Sequence, residues 1–408
     1  MISYCFDLIA YGFLFIVSYL FLLSSKKYNK TFNVYFIIAV MVLCLFATFR
    51  SYDIGTDTIN YLNFYNLADG KNFSDLMGMK TFSEIEIGFD FLIWLSANVF
   101  HSYRVLLFIS AFLTVTPIYV VIRKQENRIS IFLASITFFL FLWGMTLNVI
   151  RQGIASAFFL VAISCWDDKE KFKAIFMMIF AILFHYGAVF GLVMIVIPYL
   201  LTKIKNTRNQ NVFFLVSLIF LCVLASTWDV LLMKILGNSS GVLSSYTRYV
   251  EKFQGGYTYM SNVDIGHYID LGIRIILVFL PILFLRGYTN NIFSRNRCGR
   301  KEYYNDNNEL IQQERRLIYL SVEALFIDAF VLLFIGTMYG YRIVMCADFM
   351  MILTYANIAK IKEYQKGASF GKVNLEVLII TIFMITSFFI RYIWLHMHGI
   401  SGLLSKMF

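Results

Sequence analysis

Apolar runs of about 20 residues recur along almost the whole of this chain, separated by short polar breaks. As a helix, each run is long enough to cross about 30 Å of hydrocarbon. The runs are continuous rather than alternating, which argues against the two-residue period of a membrane barrel. The pattern predicts spans near 4–23, 31–49, 104–122, 129–146, 148–166, 172–184, 187–201, 211–227, 269–286, 317–336, 342–359 and 373–393. The expected fold is therefore an all-α polytopic membrane protein of about 12 transmembrane helices, one domain over 1–408. Tyr4–Leu23 has neither a basic leader nor a small-residue cleavage site, so it reads as a first span rather than a removed signal.

Two stretches break the regular pattern. Residues 86–100, EIGFDFLIWLSANVF, are short and carry Glu86 and Asp90. They read as an amphipathic helix lying on a membrane face. Residues 172–201 would extend about 45 Å as one helix, too long for a single crossing. A break at Phe184–Gly187, FHYG, turns them into a hairpin and places His185 at its kink. Such an interruption at membrane depth is tolerated where protein covers it or a cavity adjoins it.

Composition agrees with the pattern: 59% of the residues are hydrophobic, 15% are charged, and mean hydropathy is +0.70. The formal charge of +10 raises the question of nucleic acid, but its distribution answers for a membrane instead. Lys and Arg cluster in short loops around Lys26–Lys30, Arg123–Arg128, Lys169–Lys173, Lys203–Arg208, Arg286–Arg316 and Lys360–Lys372. Loops of that kind face the cytoplasm. Two longer loops, 50–103 and 227–268, are poorer in base; they are expected outside, carrying short helices, as are both termini. The 287–316 segment, rich in Asn, reads as a cytoplasmic connector. The six cysteines show no paired spacing, so neither a disulfide framework nor a zinc site is indicated.

With that topology the unusual polar residues gather on the outer side. Arg50 and the Gly55–Thr58 turn follow the second span, with Tyr61 just beyond. Asn148, Arg151 and Gln152 open a helix in NVIRQGIA. His185 caps the hairpin, Tyr341 and Arg342 lie in MYGYR, and Arg248, Asp264 and His267 belong to the 227–268 loop. Arginines converging on one face suit an anion, because a guanidinium is a planar charged fork that matches phosphate oxygens in pairs. Each residue also has a plainer reading. An arginine at a helix end snorkels to headgroups, Asp57 suits a turn, the tyrosines suit an interfacial belt, and His185 suits a broken helix. Arg151 is the most telling, since apolar sequence resumes directly after it and polar groups beside lipid are costly. Glu84 and Glu86 form an acidic pair that reads as solvated surface, and no metal is expected.

FRSYDIGTDTINYLNFY, Glu86 with Gly88-Phe89, NVIRQGIASAFFL, FHYGAVFGL and YGYRIVMCADF, in that order, resemble the EpsG-like, Wzy-type polysaccharide polymerases of bacteria. Gly187 departs from that family, which often has serine there. The resemblance covers residues 50–342 and implies a multi-pass glycosyltransferase of the lipid-sugar-dependent, GT-C-like class in the bacterial cytoplasmic membrane, with its site facing outward. It implies that a growing glycan is moved from undecaprenyl pyrophosphate to the terminal hydroxyl of a lipid-linked oligosaccharide repeat unit. Donor and acceptor are thus both lipid-linked, no cofactor or nucleic acid is involved, and a separate protein regulates chain length. On that basis Arg50, Arg151, Arg342 and Arg248 are expected at the pyrophosphate and sugars, supported by Gln152, Asn148, Tyr61 and Tyr341. His185 is the expected base, with Asp57 and Glu86 as alternatives; Asp57 serves instead to orient Arg50 in a second reading. A glycan ligase and a lipid-linked-sugar flippase are the rival functions. The flippase draws on Glu323, Asp328, Asp348 and Arg274 within spans, which equally suit interhelical pairs.

Overall fold

The computed structural model describes residues 2–50, 57–79, 82, 85–189, 345–346, 348–357 and 375–397, with scattered positions between 191 and 280. Among these the elements are helices joined by turns, with no strand. The helices are α1 (Ile2–Ser25), α2 (Val34–Phe49), α3 (Thr58–Ala68), α4 (Phe73–Gly78), α5 (Ile87–Asn98) and α6 (Tyr103–Lys124). There follow α7 (Ile131–Thr137), α8 (Gly144–Asn148), α9 (Ile150–Asp167), α10 (Lys171–Phe184) and α11 (Leu375–Met397). A π-helical segment, Phe138–Trp143, joins α7 to α8. Residues 345–346 and 348–357 are helical as well.

Tyr103–Lys124 and the continuous Ile131–Asn148 rod are long and apolar enough to cross a membrane. At 12 residues, α5 extends only about 18 Å, short of a crossing. Large apolar side chains also point outward at helical spacing, as Ile9, Phe13, Ile16 and Leu20 do on α1. A stripe of that kind suits lipid rather than water.

The core is a sandwich of long helices. α9 packs between α6 and α10, α2 lies on α1 and α6, and α5 rests on α3, α6 and α10. Small residues permit the close approach of α9, where Ala155, Ala157 and Ala162 are fully buried. Tyr11 on α1 donates to the Phe139 carbonyl at 3.0 Å, a carbonyl of the π segment, where the regular i−4 ladder is interrupted.

The two ends of the bundle differ sharply. At one end lie the basic loops. Arg123 donates to the carbonyls of Ser25 and Tyr28, each at 3.1 Å. Lys124 and Arg128 pair with Asp168 at 2.9 and 3.0 Å, and Lys124 also with Glu170. Ser130 N–H donates to the Ala356 carbonyl at 2.9 Å, so residue 356 belongs to this end. Cys346 lies farther up, beside Ser156 at 3.6 Å. The opposite end holds the α2 C-terminus, the α8–α9 junction, the α10 C-terminus and the start of α5.

Two close contacts fix that second end. The chain breaks between α8 and α9 at Val149 (φ −91, ψ 64). A β-carbon on Gly153 would meet the Thr146 side chain at 3.0 Å, so the small residue lets the helices close over the break. A β-carbon on Gly88 would meet the Leu183 carbonyl oxygen at 2.7 Å and the Phe184 ring at 3.3 Å. The start of α5 therefore lies against the last turn of α10, two residues before His185. Gly88→Ala is expected to push these segments apart, costing on the order of 1–3 kcal/mol and drawing Glu86 away from His185. A lowered melting temperature together with weakened activity checks this; an unchanged protein would show the contact to be soft.

Candidate functional site

Glu86 is the centre of the site, and its neighbours come from elements far apart in the chain. It precedes the first turn of α5 and is 3% exposed. One carboxylate oxygen, Oε2, accepts from the Arg151 guanidinium. The other, Oε1, lies 2.8 Å from His185 Nδ1 and accepts the Tyr186 N–H at 3.3 Å. Burial alone would raise this carboxyl, but Arg151 and His185 outweigh that and hold it down to about 2. Glu86 is therefore an anion throughout the neutral range. A buried charge needs such partners, because an unpaired one is strongly disfavoured in a low-dielectric interior.

Each partner is delivered by a helix end. Arg151 sits in the first turn of α9, directly after the Val149 break, and also hydrogen-bonds with Tyr61. Its side chain is half-buried, with 22% of its surface open. His185 terminates α10 in an extended conformation (φ −160, ψ 120), and a 3₁₀ turn, Tyr186–Ala188, follows. The expected break at FHYG is thus present, and it exposes the Tyr186 N–H that Glu86 uses. With Nδ1 committed to Glu86, the remaining ring nitrogen, Nε2, is the one left for chemistry.

Arg50 forms a deeper layer. It caps α2, is 4% exposed, and donates to the Leu147 carbonyl at 2.7 Å and to Thr58 Oγ1 at 3.4 Å. The Leu147 carbonyl belongs to the last turn of α8, where carbonyls lack helical partners and favour a cation. Burial lowers Arg50 to about 10, which leaves it cationic at neutral pH. Its Nε has no partner among the described residues. Asn148 Oδ1 accepts the Asp57 N–H at 3.0 Å and so ties the start of α3 to the same junction. Tyr61 on α3 is 5% exposed, its ring edge-on to Phe89 at 5.0 Å.

The structure thus brings Arg50, Asp57, Tyr61, Glu86, Asn148, Arg151 and His185 to one end of the bundle, opposite the basic loops. Gln152, adjacent to Arg151, is 6% exposed, and its Oε1 has no partner among the described residues. Tyr341, Arg342, Arg248, Asp264, His267 and Glu84 lie outside the described residues, as do Glu323, Asp328 and Arg274. Asp348 is buried in the helix beside α9. No group of three His, Cys, Asp or Glu side chains able to hold a metal occurs among the described residues.

One polar residue of this site was not singled out for chemistry from the sequence. Asp90 follows Glu86 by one helical turn, is 0% exposed, and neither of its oxygens has a partner among the described residues. Burial raises it to about 7, with Arg151 pulling it back and Glu86 pushing it further up. The i, i+4 spacing from Glu86 was the available signal.

Chemically, the cluster offers a forked cation and an imidazole backed by a carboxylate. The first suits an anion and the second suits proton removal from a hydroxyl. The EpsG family model matches residues 33–403. No curated protein and no solved structure matches the chain.

Proposed function

The chain belongs to the EpsG family, a family of Wzy-type polysaccharide polymerases, and on that premise we propose that it joins lipid-linked oligosaccharide repeat units at the Glu86–Arg151–His185 cluster. The family and the apolar helices make it a membrane protein. In the proposed reaction the donor glycan is carried on undecaprenyl pyrophosphate, and the acceptor is the terminal hydroxyl of a second lipid-linked unit. The bond between the donor anomeric carbon and the diphosphate oxygen breaks, and a bond from that carbon to the acceptor oxygen forms. The acceptor proton passes to His185 Nε2, and the diphosphate leaves with the bonding electron pair. Arg151 holds the charge that develops there, where a preorganised donor is most effective. Glu86 keeps the imidazole in the right tautomer and stabilises the imidazolium, as a buried carboxylate does for a catalytic histidine.

The observation that carries this reading is Glu86, a single carboxylate bonded to both the arginine and the histidine. Being held near 2, it is too weak a base to take the proton itself, which favours His185 in that role. Arg50, below the site, adds positive potential and fixes the α8 end that positions Arg151. Arg342, Tyr341 and Arg248 are proposed to complete the site around the diphosphate and sugars, with Gln152, Asn148 and Tyr61 in support. The site is proposed to face outward from the bacterial cytoplasmic membrane, within about 12 spans of a GT-C-like architecture. The basic loops at the opposite end support that orientation.

Purified protein supplied with lipid-linked repeat units, with a chelator present and no ion gradient, is expected to produce a ladder of lengthened glycans. Transport of those units without lengthening would remove the polymerase reading, and loss of the ladder on chelation would require a metal.

A further inference from the structure

The reaction just described leaves Asp90 unused. It lies on the same face of α5 as Glu86, fully buried, with both oxygens unpartnered among the described residues. The groups acting on it are Glu86 on its own element, Arg151 from α9, and Tyr186 from the turn after α10. On the packed neighbours, α3 sets Tyr61 against Phe89, and His185 at the α10 end is engaged with Glu86. The near end of α6 directs Tyr103 to Tyr65 and Arg104 over the Phe49 ring. Among the described residues, Arg151 is thus the cation acting on it. An isolated buried carboxylate is strongly disfavoured, and takes up either a proton or a cationic partner.

We propose that Asp90 is a positioning residue for anion binding, acting through Arg151. When it carries a proton, the guanidinium remains available to Glu86 and an arriving diphosphate; when ionised, it draws the guanidinium inward and weakens the anion's hold. The burial that raises this carboxyl to about 7 puts the exchange in the physiological range. Linkage makes the effect reciprocal: if the proton favours the anion, the anion favours the proton, so binding takes one up from solvent. After glycosyl transfer, loss of that proton would help the diphosphate leave. The inference rests on the anion-site half of the reading above, not on the polymerisation it serves.

The test uses the full-length protein in detergent, with inorganic pyrophosphate as the probe. Binding by wild type and Asp90→Asn is measured across pH 5.5 to 8.5, roughly centred on the raised carboxyl, so that titration of the probe itself cancels in the ratio. At the acid end the two are expected to agree within about twofold. Above the carboxyl transition the wild type is expected to weaken relative to Asp90→Asn by up to about tenfold per pH unit, the limit for one linked proton. Difference infrared spectroscopy on the wild type alone supplies a second readout. Pyrophosphate addition near neutral pH should increase a protonated-carboxyl band, whatever the folding of the variant. A constant ratio across the range, or no such band, would overturn the inference, and so would a wild type that binds no pyrophosphate at any pH. A diverging ratio in a protein that makes no polymer would leave the inference standing and remove the polymerase; glycan ladders with a constant ratio would do the reverse.

Discussion

Arg151→Ala is expected to abolish chain extension, with no ladder above the single repeat unit, while the protein still inserts and folds. The chemical part of this follows from charge development: as the glycosidic bond breaks, the diphosphate gains negative charge, and removing one preorganised donor costs roughly 10²–10³-fold in rate. The structural part needs separating from it. Deleting the guanidinium strips a buried carboxylate of a cation, and breaking a buried pair in that way costs about 3–5 kcal/mol. His185 softens the loss, since it can take a proton and pair with Glu86. The double variant Arg151→Ala with Glu86→Gln removes both charges together and should recover most of the stability without any activity. Arg151→Lys keeps the charge but not the fork that reaches Glu86, Tyr61 and an anion at once; its expected rate loss is at least about 10-fold. Membrane yield and melting temperature report the structural part, and ladder length reports the chemical one. Near-normal polymer from Arg151→Ala would leave the anion site without its principal residue.

The sequence made much of this site legible because its residues carry their own markers. Arg151 appears between Val149-Ile150 and a long apolar run, and a polar residue in that position needs a reason. The FHYG break followed from length and charge together, since a single helix over 172–201 exceeds the bilayer and would leave the Lys203 loop outside. The observed end of α10 at Phe184, with His185 extended, agrees with that break. The helical core likewise came from run length, and the helix bounds of α6, α9, α10 and α11 fall within a few residues of the apolar runs.

What stayed hidden was pairing. Glu86 lies 65 residues from Arg151 and 99 from His185, and no local periodicity links them; only the packing of α5 against α10 does. Glu86 drew notice as an alternative base and, with Asp90, as a reason why 86–100 does not span; neither reading names its partners. The Tyr186 N–H and the Leu147 carbonyl are backbone groups released by helix breaks, so residue identity does not mark them. The π segment at Phe138–Trp143 is equally silent, because six large apolar residues read as ordinary helix. Arg50 lies at the same end as Arg151 and His185, and its commitment to Leu147 and Thr58 makes it a brace of the site.

Glu86→Gln should be the most informative change at the proton-transfer half of the site. Gln has nearly the same shape and still offers an oxygen to His185 Nδ1 or Arg151. It removes the charge that keeps Nδ1 as the donor and that offsets the imidazolium formed when the acceptor proton arrives. The expected loss is about 10²–10⁴-fold in kcat, the range that a positioned general base contributes, with KM for the acceptor little changed. His185→Ala should fall at least as far, because Nε2 is then absent. Groups that act as one unit are not additive, so the Glu86→Gln, His185→Ala double variant should be no worse than His185→Ala alone. Multiplied losses would mean that the two residues act independently, and that Glu86 serves the anion side rather than the base. Single-turnover measurement of chain extension distinguishes the outcomes, since it separates the chemical step from binding and release. If Glu86→Gln instead raised KM at constant kcat, the carboxylate would be an acceptor-binding group, and the proton would have to leave by a route other than the Glu86-backed imidazole.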